Sequence, residues 1–148
     1  MSWSLDLFHC DTQSNCHVHP IQSYAGVASG TFTAPDHSYP SYLQLTLTAT
    51  DSGGLRNSSS LRLDPKTTVL TFQTTPGGMQ LVVGGTTATA PFSRTVIVGS
   101  QNGVSAPSTQ GKGTQQTYFF QSWSDGGAQT HTIVAPAAAT TYGARYRK

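Results

Sequence analysis

The run Tyr42-Leu43-Gln44-Leu45-Thr46-Leu47-Thr48-Ala49-Thr50 alternates leucine with glutamine and threonine. A period of two puts the leucines on one face of an extended strand, and a helix cannot hold it. Asp51-Ser52-Gly53-Gly54 then reads as a turn, because glycine takes positive φ and aspartate caps the bend. Residues 59–63 return as a second strand and close a hairpin. The same punctuation recurs along the chain. Trp3, Leu5 and Leu7 alternate with Ser4 and Asp6, and residues 27–32 read as a short strand after Gly26. Residues 69–72, the turn Pro76-Gly77-Gly78 and residues 79–83 read as another hairpin. Strands are further expected over 95–98, 104–107, 117–123, 130–134 and 141–146. Lys112-Gly113 falls in a Gly/Gln/Ser loop, and Pro136 makes a loop of the alanines at 135–139. No segment carries a 3.6-residue period.

Composition narrows the class. There is no glutamate: all six acidic residues are aspartates, and lysine occurs only at Lys66, Lys112 and Lys148. The good helix formers are therefore scarce. Charged residues are 9% of the chain, against about 25% in an ordinary globular protein. A net charge of +2 argues against a charged disordered tail and against a nucleic-acid partner, which needs a denser basic patch. No run of apolar residues is long enough for a membrane helix. The expectation is an all-β chain of two small antiparallel β sandwiches in tandem, 1–65 and 66–148. The boundary falls at Asp64-Pro65-Lys66, where Pro65 cannot donate to a ladder. Met1 leads straight into a strand-like alternation without a secretory leader, so the sequence reads as cut from a larger polypeptide.

Cys10 and Cys16 are the only cysteines. An even count at close spacing in such a chain suggests a disulfide closing a short loop. The competing reading is a metal site, because His9, His17 and His19 flank the pair. His17-Val18-His19 puts two imidazoles on one face of an extended segment. His9 and His37 could approach them and bind zinc or copper.

Two stretches carry a family resemblance. His37-Ser38-Tyr39-Pro40 followed by the alternation from Tyr42 to Gly54 resembles the last strands of PKD-like, immunoglobulin-type domains. Trp3-Ser4-Leu5-Asp6 resembles their tryptophan strand. The insertion from Cys10 to His19, followed by Gly30-Thr31-Phe32-Thr33-Ala34-Pro35-Asp36-His37, is similar to the modules behind secreted bacterial sugar dehydrogenases of the glucose/sorbosone type. Phe120-Gln121-Ser122-Trp123-Ser124-Asp125-Gly126-Gly127, with Thr130-His131-Thr132 and Thr141-Tyr142, resembles a short β-repeat of secreted bacterial enzymes and adhesins. The resemblance implies two immunoglobulin-like modules in an extracellular, disulfide-permissive setting. It also implies a catalytic domain elsewhere in the parent polypeptide as a partner. An immunoglobulin-type domain needs about seven strands. Residues 1–65 supply about five, so the first module reads as incomplete.

Catalysis finds little to work with. Sugar hydrolysis uses paired carboxylates, and here the aspartates sit mostly in turns. No Gly-x-Ser-x-Gly elbow is present. The leading expectation is a non-catalytic, secreted accessory module that binds polysaccharide or oligosaccharide through surface aromatics, because a pyranose has an apolar face and a polar rim. The candidates are Trp3, Tyr39, Tyr42, Tyr118 and Trp123, with Asp125 as a hydrogen-bond partner. The alternatives are a spacer or adhesion module and a histidine metal site. Zinc or calcium are the metals considered, with no organic cofactor.

Overall fold

The computed structural model describes residues 1–12, 15–112 and 116–148. Among them are thirteen strands and no helix. The chain divides into two compact units, Met1–Lys66 and Thr67–Lys148.

The first unit is one antiparallel sheet. Its strands are β1 (Ser2–Thr12), β2 (Asn15–Ala25), β3 (Ser41–Thr50) and β4 (Arg56–Leu63), in the order β2-β1-β3-β4. The turn at Asp51 closes as the sequence suggests: its Oδ1 accepts the amides of Gly53 at 2.8 Å and Leu55 at 2.9 Å. Gly54 takes φ 86°. Pairing of Leu5 with Leu45, Leu7 with Leu43 and Leu43 with Leu63 puts the leucines on one face. Leu5, Leu7 and Leu43 are buried there, with Leu45 and Leu63 packed against them. Among its described residues this unit forms no second sheet; residues 26–40 run beside this face without strand pairing. The strand expected at 27–32 is therefore absent. Its carbonyls are used by side chains instead: the Trp3 indole donates to Val27 O at 3.1 Å, and the Tyr24 hydroxyl to Thr31 O at 2.5 Å. The segment expected as a disulfide loop is closed by the Cys10–Cys16 disulfide, with Cys10 and Cys16 a cross-strand pair of β1 and β2.

The second unit is a two-layer sandwich. Its strands are β5 (Thr67–Thr75), β6 (Gln80–Val83), β7 (Thr86–Thr89), β8 (Phe92–Ile97), β9 (Gln101–Ser105), β10 (Thr109–Lys112), β11 (Gln116–Trp123), β12 (Thr130–Val134) and β13 (Thr140–Arg147). One sheet has the order β10-β11-β13-β5-β8 and the other β12-β9-β6-β7. The hairpin expected at 69–83 is not formed. β5 and β6 lie in different sheets, and Pro76, with no N–H to give a ladder, stands between them. β5 pairs parallel with β13 and antiparallel with β8. Lys112 ends a strand instead of lying in a loop, and Gly113 lies outside the described residues. Inward residues of both sheets form one core. Leu70 and Phe72 come from β5, Leu81 and Val83 from β6, Val104 from β9, and Trp123 from β11.

Candidate metal centre

A single extra residue in β2 builds the site. Trp3 pairs with Tyr24 and Leu5 with Gln22, but Asp6 pairs with Pro20, so Ile21 is bulged out. A one-residue slip moves every later side chain to the other face. Above the bulge, Tyr24 and Gln22 share the leucine face. Below it, His19 and His17 take that face, opposite Leu7 and His9. Pro20 lacks an N–H and is tolerated at such an irregular edge position.

His9 and His17 are thus a direct cross-strand pair, and His19 lies two residues along the same strand. One nitrogen from each of the three can be chosen so that all lie within 4.8 Å of one another. Ring centroids are 4.9 Å apart for His9–His17 and 4.7 Å for His17–His19. His37, on the segment beside the sheet, brings its ring 4.5 Å from His9 and 5.9 Å from His19. Tetrahedral zinc, with Zn–N bonds of about 2.1 Å, holds its ligand nitrogens roughly 3.4 Å apart. Rotation of the exposed His17 and His19 imidazoles covers that difference. Burial, and then the neighbouring imidazoles of His37, His17 and His19, hold His9 below the ordinary histidine pKa against the pull of Asp11. A neutral imidazole is the form that ligates a metal. Ser38 Oγ lies 3.3 Å from His9 Nε2, the kind of contact that fixes ring orientation around a metal. Nothing in the sequence reading singled out Ser38 or the bulge, although Pro20 inside an otherwise extended run was a signal for the latter.

Cys10 and Cys16 form a disulfide and are not ligands. They are the next cross-strand pair after His9–His17, so they staple the adjacent rung from the opposite face. Calcium finds no support, because among the described residues no group of three carboxylates converges. Asp51 and Asp125 each accept their own turn's amides, and Asp64 pairs with Arg62 at 2.7 Å.

The aromatic candidates are divided between the units: Trp3, Tyr39 and Tyr42 belong to the first, Tyr118 and Trp123 to the second. Trp123 is 3% exposed and Tyr118 9%, both in the sandwich core, so neither offers a face to a sugar. The Trp123 indole donates to Gln129 O at 3.1 Å, and the Tyr118 hydroxyl to Gln116 at 3.0 Å. In that aromatic strand it is Phe119 that turns outward. Tyr42 stacks on Phe8, with centroids 4.8 Å apart and planes 5° from parallel. It also carries the Arg62 guanidinium 3.6 Å from its centroid, so both of its faces are covered. Trp3 is half-buried beside Tyr24, Phe32 and Leu45 in a largely apolar hollow. Tyr39 is exposed. Asp125 is engaged by the Gly127 amide and by His131 Nε2, each at 3.0 Å. Burial works against its charge, but these two hydrogen bonds outweigh it and hold the carboxyl below its ordinary pKa.

Compared with known proteins, the chain gives no match to a family model, to a curated protein or to a solved structure.

Proposed function

We propose that the protein is a non-catalytic binding module of a secreted polypeptide, and that its ligand is a divalent transition metal held by His9, His17 and His19. One observation carries this reading: a β bulge turns two histidines of β2 onto the face of a third, with ligand nitrogens within 4.8 Å. Imidazole-only donors suit zinc and copper and not calcium. The Cys10–Cys16 disulfide is at home in an oxidising compartment, which favours a secreted setting. The kinship to PKD-like modules and to bacterial β-repeats, and a catalytic domain as neighbour, belong to the same proposal. They rest on the quoted sequence resemblance alone.

The test is metal analysis and calorimetry on protein made without a histidine tag or chelator. About one equivalent of Zn²⁺ or Cu²⁺ bound by the chain, and lost in a His17→Ala/His19→Ala variant, supports the reading. No binding by the unaltered chain overturns it.

Polysaccharide binding stands as a second reading, carried by the exposed Tyr39 and the half-buried Trp3. Affinity electrophoresis across a glycan panel decides it. Retardation that is lost in Tyr39→Ala supports it, and no retardation by any glycan overturns it.

A further inference from the structure

We infer that His37 is a fourth ligand of this centre, and that metal binding fastens the 26–40 segment to the sheet; this rests on the three-histidine reading. The segment does the work of a missing second layer. It has no ladder of its own, and four hydrogen bonds tie it at its two ends and at Thr31. Gly26 N donates to Met1 O at 2.9 Å, and Cys10 N to Pro40 O at 3.0 Å. Trp3 and Tyr24 donate to Val27 O and Thr31 O. Between these ties the segment meets the sheet at His9, through the His37 ring and Ser38 Oγ.

Among the described residues, the buried apolar side chains of the leucine face are Leu5, Leu7 and Leu43. A small unit with so thin a core gains most from a crosslink. The disulfide crosslinks β1 to β2. A metal held by His9, His17, His19 and His37 crosslinks β1, β2 and the segment at one point. Four imidazoles leave a tetrahedral ion no open position, which is the pattern of a structural site and not of a catalytic one. Binding is then coupled to ordering of the segment, since the four ligands converge only in the folded unit.

The experiment uses the full chain with Zn²⁺ as the probe. Calorimetry gives affinity, and amide hydrogen exchange reads residues 33–40. The inference expects about one equivalent of Zn²⁺ to slow exchange there at least tenfold. His37→Ala should still bind through the three strand histidines, at least roughly tenfold more weakly, and should lose the protection. Equal affinity in both proteins, with unchanged exchange in 33–40, overturns the inference and leaves the three-histidine reading standing. No Zn²⁺ binding by the unaltered chain fails both. Should His37→Ala not fold, ¹⁵N shifts of the histidine rings in the unaltered chain decide. Zinc-induced shifts at His9, His17, His19 and His37 support the inference; shifts at the first three alone overturn it.

Discussion

The two units solve the same problem by different means. The second, Thr67–Lys148, buries the inner faces of two sheets against each other, with Leu70, Phe72, Leu81 and Ala106 fully enclosed. The first has one sheet, three buried leucines and an irregular segment beside them, and it holds the chain's only disulfide and a four-histidine cluster. Where burial is plentiful there is no cysteine. Where burial is thin, a disulfide and a histidine cluster gather at one end of the sheet. Each buried leucine contributes roughly 1.5–3 kcal/mol, so three of them hold a small fold only marginally.

The sharpest way to break this contrast is to remove a core side chain from the well-packed unit. Phe72→Ala should cost about 3–5 kcal/mol, read by chemical denaturation, since Phe72 is fully buried and touches Phe92 and Tyr142. A loss under about 1 kcal/mol would mean that the sandwich core is not what holds that unit. Next is the staple. Cys10→Ser with Cys16→Ser opens a loop of sequence separation 6, worth about 2 kcal/mol by loop entropy. It should also weaken Zn²⁺ binding, because the His9–His17 rung is the neighbouring one. Unchanged Zn²⁺ affinity would separate staple from site.

The smallest effect belongs to the Asp125 turn. His131 meets two acceptors, Asp125 at 3.0 Å and Ala128 O at 2.7 Å, and a Cβ at Gly127 would collide with its ring. Because folding lowers the Asp125 pKa from 3.8, its stabilisation is present above that pH. It is lost as pH falls through the lower, folded value. Asp125→Asn should cost about 1 kcal/mol near neutrality and flatten the acid limb of the stability curve below pH 4. An acid limb identical to that of the unaltered chain would show that the turn carries no such linkage.

Much of the fold was legible because period-two alternation is a local signal. The leucine run of β3, the tryptophan strand β1 and the aromatic strand β11 all stand out by it. What was not legible depends on pairing. β2 contains Pro20 and changes phase at Ile21, so its alternation is broken and gives no period-two signal over its length. Residues 27–32 look like a strand, yet their carbonyls are taken by Trp3 and Tyr24. β7 is four polar or small residues without alternation. The disulfide and the one-face placement of His17 and His19 followed from spacing alone. The meeting of His9 with them required the bulge. Trp123 and Tyr118 failed as surface aromatics for a related reason: an aromatic in a strand fills a core as readily as it meets a sugar, and only the partner sheet decides which.

The central claim is that the Ile21 bulge brings His17 and His19 onto the face of His9. Electron paramagnetic resonance of the chain with one equivalent of Cu²⁺ tests it directly, set beside a His17→Val/Val18→His/His19→Val variant. The unaltered chain should give a single copper species with nitrogen hyperfine splitting from several imidazoles. That variant keeps the bulge and the pairing but leaves β2 a single histidine, opposite Phe8 on the other face of the sheet, and should abolish that species. The same multi-nitrogen spectrum from both proteins, or no bound copper in the unaltered chain, would contradict the account.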